Sequence, residues 1–207
     1  MKTPTVFVAL LHYPVLDKRG SVVTTAVTNL DIHDIARSSA TYGVTQFYVV
    51  TPLERQQELV KKILRHWQEG YGATYNPARR QALGLVDVKN SLDEARRNAA
   101  GNAGRIVRTV VTSASEQIRT VSHRALKELI NGSGDNEAYL ILFGTGWGLA
   151  GNIVEEADYV LEPIWGVEKY NHLSVRSAAA ITLDRLLMRE NHSEVSVSGG
   201  NEDNECN

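Results

Sequence analysis

Short apolar runs alternate with amphipathic stretches along most of the chain. Val6 to Leu11, Thr45 to Thr51, Leu83 to Val88, Ile106 to Val111 and Tyr139 to Phe143 are apolar or β-branched runs of strand length, and Asp158 to Leu161 is a shorter one. Tyr139 to Phe143 carries no charge, as suits a strand covered on both faces. Between the runs lie helical periodicities. Ile32, Ile35, Ala36, Ser39 and Ala40 form one stripe, and Asn29 or Asp31 can cap it. Leu59, Val60, Ile63, Leu64 and Trp67 form another, with Arg55, Lys61, Lys62 and Arg65 outside it. Ser91 and Glu94 make a capping box before a third helix. Further helices are predicted up to Ile130, over 150–157 and from Ser174 to Arg189. Strands that alternate with helices about six times predict an α/β fold, a mainly parallel sheet with helices on both faces.

The strand ends carry the candidate chemistry. The apolar run ending at Phe143 leads straight into Gly144-Thr-Gly-Trp-Gly148, Ile106–Val111 into Thr112 and Ser113, and the short run after Asp158 into Glu162-Pro-Ile-Trp-Gly166. In a parallel sheet these turns share one edge and can converge on a small molecule. A dinucleotide fingerprint belongs at the first strand-to-helix turn, whereas the first strand here ends in His12-Tyr-Pro14. No GK[ST] supplies a P-loop, no GxSxG an elbow for a nucleophilic serine, and no CxxC or HExxH a metal site. His33 and Arg37 lie four apart on the first helix, with Asp34 between them. They read either as a solvated face with a local ion pair or as acceptor chemistry. Over 70–80, Tyr71 and Tyr75 interleave with Arg79 and Arg80. That mixture reads as a loop able to stack on and neutralise RNA, or as a surface turn with Tyr75 packed beneath it.

Composition changes little in this picture. With 207 residues the chain reads as one domain over 1–190 with a tail. Residues 191–207 hold four acids and no Lys or Arg, and they are expected to be a disordered acidic tail. The rest holds all 22 basic groups and 20 acids, a balance that neither demands nor excludes nucleic acid. One cysteine, Cys206, rules out an internal disulfide framework and favours a cytoplasmic protein. No apolar run reaches the length that spans a bilayer.

Three late segments taken together resemble the knot-forming motifs of the SPOUT class of S-adenosylmethionine-dependent RNA methyltransferases. They are Leu140 to Leu149, Val160 to Gly166 and Tyr170 to Ile181. The segment from Asn29 through Arg37 to Val44 is similar to the first motif of the ribose-methylating branch. Together these segments also resemble a small bacterial SPOUT family of RNA methyltransferases. The resemblance implies a deep C-terminal trefoil knot, a bent S-adenosylmethionine held by the knot loops, and a homodimer with active sites at the interface. Carried over by position, it implies a cofactor pocket of Thr112, Leu142, Phe143, Gly144, Thr145, Gly146, Gly148, Leu161, Pro163, Ile164, Gly166, Asn171, Leu173 and Ser174. It implies Arg37 as the catalytic arginine and Asn29 as the motif's leading asparagine; a guanidinium stays protonated, so His33, one turn away, or Asp34 is the candidate to take the proton. The substrate would be tRNA or rRNA, methylated at a ribose 2′-oxygen or a base nitrogen, with no metal and no membrane. Trp147 stands where the ribose methylases carry glutamate, and His172 where they carry asparagine. That departure leaves an alternative, a non-catalytic knotted module that binds S-adenosylmethionine or RNA. Another α/β nucleotide-binding enzyme is the third reading.

Overall fold

The computed structural model describes residues 4–168 and 170–188. The expected acidic tail, 191–207, lies outside the described residues. The first strand, β1 (Val6–Leu11), is the centre of the sheet, and all six of its residues are buried. A small antiparallel excursion follows, β2 (Val15–Leu16) paired with β3 (Val22–Val23). Then come α1 (Asn29–Thr41), β4 (Gln46–Val50), α2 (Glu54–Gln68), α3 (Tyr71–Tyr75), α4 (Pro77–Leu83) and β5 (Val86–Lys89). The second half runs α5 (Leu92–Ala103), β6 (Ile106–Val111), α6 (His123–Gly132), β7 (Glu137–Gly144), α7 (Gly151–Glu155), β8 (Tyr159–Val160) and α8 (Val175–Leu187).

The large sheet has six strands in the order β5-β4-β1-β7-β6-β8, and every pair is parallel. Period-2 alternation divides its residues between two cores. Val6, Val8 and Leu10 of β1 face one side with Tyr139, Ile141 and Phe143 of β7, under α1, α2, α6 and α8. Phe7, Ala9, Leu11, Leu140 and Leu142 face the other, under α5 and α7. Burial on both faces is why β1 and β7 read as unbroken apolar runs.

The chain leaves β1 toward β4 on one side, while β7 lies on the other. That reversal opens a crevice at the carboxyl ends of β1 and β7, the usual ligand position in such sheets.

Four local expectations need correction. Thr28, not Asn29 or Asp31, caps α1: its hydroxyl accepts from the Asp31 main-chain N–H at 3.1 Å. Leu59 lies outside the α2 stripe and is exposed. Leu83 ends α4 rather than opening β5. The stretch 70–80 is not a loop, because α3 and α4 occupy it. Asn76 caps α4 through the Arg79 N–H, and Pro77 sits where its missing donor costs nothing. Gly72 is needed because a Cβ there would meet the Trp67 ring at 2.7 Å. Tyr75 is not packed beneath the segment, since both Tyr71 and Tyr75 are exposed.

Candidate functional site

Three loops meet at the carboxyl edge of the sheet, and each is fixed by main-chain bonds. The glycine loop after β7 is stitched to the β2–β3 excursion: Trp147 N–H donates to the Leu16 carbonyl at 2.9 Å, and Leu16 N–H to the Gly148 carbonyl at 2.9 Å. The loop after β6 begins at Thr112, whose hydroxyl donates to the Leu142 carbonyl at 2.9 Å. The loop after β8 is held by Glu162, which accepts from the His123 main-chain N–H at 2.8 Å and its ring Nδ1 at 3.1 Å. The bond from the His123 main-chain N–H pulls the Glu162 carboxyl below its usual range. Burial lowers the His123 pKa, so this contact is a hydrogen bond from a neutral ring more than an ion pair. Asn171 Nδ2 closes the third loop onto the second through the Ala114 carbonyl at 2.9 Å.

Between these loops lies a cavity of about 710 Å³, well within the size range of small-molecule sites. Thr112, Phe143, Gly144, Thr145, Gly146, Gly148, Leu161, Ile164, Asn171, Leu173 and Ser174 line it, as does Trp147. Leu142, Pro163 and Gly166 do not line it. Leu142 lies one residue behind, offering its carbonyl to Thr112. Glycines in such a loop ordinarily let the backbone lie close to a ligand, but here two of them have another cause. A Cβ on Gly144 would meet Leu149 N at 2.9 Å, and one on Gly146 the Leu16 carbonyl at 2.9 Å, so the chain's own packing demands both. Gly148 has φ of +106°, a conformation that only glycine takes readily.

The catalytic candidates fall elsewhere. Asn29 is exposed in the first turn of α1 and lines no part of the cavity. Arg37 lines a second, smaller cavity of about 370 Å³ with Asn76, Arg79 and Gln81. His33 lines neither; its ring lies edge-on to Trp67 at 5.3 Å, and burial, then Arg79, lowers its pKa. Asp34 does not pair with Arg37 but lies 3.4 Å from Arg176 Nε on α8.

In their place the fold brings in Thr25, Ala26, Thr28 and Asp31 from the far end of the sequence. Asp31 is buried, accepts from the Thr28 hydroxyl at 2.6 Å, and lies 3.4 Å from Arg176 Nη1. A polar chain supports the glycine loop from behind. The Thr145 hydroxyl donates to the Leu11 carbonyl at 3.0 Å and meets the Thr25 hydroxyl, which contacts His12 Nδ1 at 3.0 Å. With the Thr145 proton committed, Thr25 must donate to Thr145 and accept from His12. This order fixes the Nδ1–H tautomer and leaves the buried Nε2 as a bare acceptor without a partner. Burial pushes the His12 pKa down to about 4, partly offset by Asp31, so the ring is neutral. The only sequence signal for this group is the β-branched stretch from Val22 to Val27, whose pattern fits either a short extended segment or a loop that reaches a site.

The lining suits a cationic, partly aromatic ligand. It contains two carboxylates, Asp31 and Glu162, and among the described residues no lysine or arginine. A phosphate-bearing dinucleotide would find no lysine or arginine there among the described residues. Leu161, Ile164 and Ala178 give an apolar wall, and Thr112, Ser113 and Asn171 polar groups. No group of three or more His, Cys, Asp or Glu side chains able to hold a metal occurs among the described residues.

A parallel α/β sheet with three convergent loops at its carboxyl edge defines the class of fold. Residues 5–188 match the family described as SAM-dependent RNA methyltransferase, and the chain belongs to that family. A protein of Aquifex aeolicus of unassigned function is 38% identical over 189 residues, covering 91% of each chain. The tRNA (guanine-N(1)-)-methyltransferase of Nitratidesulfovibrio vulgaris is 44% identical over 183 residues, which are 87% of this chain. The match spans only 41% of that protein, so most of its length has no counterpart here. Among solved structures, the SpoU methyltransferase AviRb from Streptomyces viridochromogenes, in complex with AdoMet, aligns with a TM-score of 0.51 and 16% identity, over 90% of this chain and 58% of that one. At that identity the likeness is one of fold.

Proposed function

We propose that the protein transfers a methyl group from S-adenosylmethionine to RNA, with the large cavity as the cofactor site. One observation carries the reading beyond family membership. The cavity at the strand ends joins an apolar wall to two carboxylates and, among the described residues, is lined by no lysine or arginine, which fits a cationic sulfonium ligand with an adenine. When bound, the cofactor supplies an electrophilic methyl group. The chain's own residues do the rest. Thr112, Asn171 and the main chain of 144–148 orient the ligand, and Leu161 and Ile164 exclude water from its apolar part.

The reading extends to a homodimer and to a C-terminal knot. Support for the knot is the return path: beyond β8 at the sheet edge, Asn171 bonds to the Ala114 carbonyl, and α8 packs on both α1 and α6. Support for the dimer is the position of Arg37, which is outside the cavity of its own chain. In this proposal Arg37 serves the cavity of a second copy and orients the acceptor there. A guanidinium stays protonated and so binds rather than takes a proton. Calorimetry with S-adenosylhomocysteine, together with nucleoside mass spectrometry of RNA from a deletion strain, tests the proposal. Binding and the loss of one methylated nucleoside are expected; no binding at millimolar ligand overturns it.

A further inference from the structure

The cofactor site uses neither the smaller cavity nor the helices beside it, and these carry an unusual surface. Residues 59–84 contain Lys61, Lys62, Arg65, Arg79 and Arg80 against a single acid, Glu69. Among the described residues none of these five cations is in an ion pair, nor is Arg37. Tyr71 and Tyr75, one turn apart on α3, stack on each other at 5.7 Å between centroids and are 75% and 72% exposed. Two large rings held in that state are poorly explained by folding, which would bury them. Next to them, at the α3–α4 junction, lies the cavity of about 370 Å³. Arg37 and Arg79 line it together with Asn76, Thr41 and Gln81, and no carboxylate does. The Arg79 guanidinium lies 4.9 Å over the Trp67 ring, which fixes its plane, and its buried Nε–H has no partner. Two arginines without counterions that share a polar cavity form a site for a bound anion.

We propose that α2, α3 and α4 form a docking platform for a single-stranded segment of RNA. The tyrosine pair receives an unpaired base, and the cavity between Arg79 and Arg37 receives a backbone phosphate. The occupant follows from the chemistry. Exposed aromatic faces beside unpaired arginines match a strand whose bases are free to stack, whereas a duplex hides its bases and presents phosphates alone. The platform rests on the reading that the protein acts on RNA. It adds where the RNA lies: along the α2–α4 layer, leading to Arg37, the residue proposed to orient the acceptor.

The test is fluorescence anisotropy of the full-length protein with a labelled oligouridylate of about twelve nucleotides, against an RNA duplex of about the same length. The double variant Tyr71→Ala/Tyr75→Ala is expected to weaken oligouridylate binding about fivefold to a hundredfold and duplex binding far less. Arg79→Ala is expected to weaken binding and to flatten the salt dependence by about 0.7 of a log unit per log unit of salt, one phosphate contact. Arg79→Lys should restore only part of this, because an ammonium has neither the fork nor the flat face of a guanidinium. Arg124→Ala, on the exposed face of α6, should bind as the parent does. Calorimetry with S-adenosylhomocysteine is run on every variant and is expected to be unchanged. If the parent fails to bind that ligand, the methyltransferase reading falls, not the platform. If the tyrosine and Arg79 variants bind oligouridylate within about twofold of the parent, or if the parent prefers duplex, the platform is wrong. Should Arg79→Ala lose its helical circular dichroism, the exposed charge reversals Lys62→Glu and Arg80→Glu take its place, with the same expected direction.

Discussion

Thr145 is where loop, sheet and candidate ligand meet at the scale of one residue. Its hydroxyl donates to the Leu11 carbonyl and meets the Thr25 hydroxyl, so one side chain links β1, the β3–α1 connection and the glycine loop. Thr145→Val keeps the shape and the main-chain N–H bond to the Leu11 carbonyl, but it removes the hydroxyl bond there and leaves the Thr25 hydroxyl proton without its acceptor. It is expected to cost about 1–3 kcal/mol in urea unfolding and to weaken S-adenosylhomocysteine binding. An unchanged unfolding midpoint would show that the network carries no weight. His12 closes the same network and adds a pH dependence. Its folded pKa of about 4 lies below the usual value near 6.5, so the unfolded chain binds more protons between those limits. Stability therefore falls as pH drops from about 6.5 to 4, by on the order of 3 kcal/mol from this group. Burial also shifts His33 and His123 downward, which adds loss in the same direction. His12→Asn, which keeps a donor for Thr25 but cannot titrate, should remove the His12 share of the slope in denaturation curves taken across that range.

At the scale of elements, α1 brings the two ends of the site together. Thr28 caps the helix and lines the cavity, and Asp31 three residues on holds Arg176 of α8. Thr28→Ala is expected to cost about 1 kcal/mol through the cap alone, and Asn29→Ala close to nothing, by thermal or urea unfolding. A larger loss from Asn29→Ala than from Thr28→Ala would move the cap to Asn29. The contrast also bears on what the residue pattern could reveal. Strands β1 and β7 were readable because burial on both faces forbids polar positions. The loops at 112–115 and 144–148 were readable because they follow such strands. The helices over 70–83 were hidden, because Gly70, Gly72 and Pro77 are ordinarily loop residues; Gly72 is there to clear the Trp67 ring, a tertiary cause that no local pattern carries. Thr25, Asp31 and His12 were missed for the same reason. They reach the glycine loop only because β1 pairs with β7 across more than a hundred residues.

At the scale of the whole molecule, one chain holds the cavity but not every group proposed to act in it. Arg37 opens onto a different cavity from the one that fits the cofactor, so a complete site requires a second copy in the proposed homodimer. That arrangement makes a prediction that no single-chain site shares. Arg37→Ala removes the acceptor-orienting group and leaves the cofactor cavity intact. Ala178→Phe, on the cavity wall formed by α8, fills the cavity and leaves Arg37 intact. Each variant alone is expected to have lost most methyl transfer to bulk RNA, while the Arg37 variant still binds S-adenosylhomocysteine. Unfolded together and refolded as an equal mixture, the two should pair at random. Half of the dimers are then mixed, and each mixed dimer combines one intact arginine with one intact cavity, so about a quarter of the parental activity returns. Sedimentation at twice the 22.8 kDa of a single chain confirms that the mixture is dimeric. Recovery near that level places Arg37 across the interface, and a mixture no more active than its components would show that each chain must supply its own arginine.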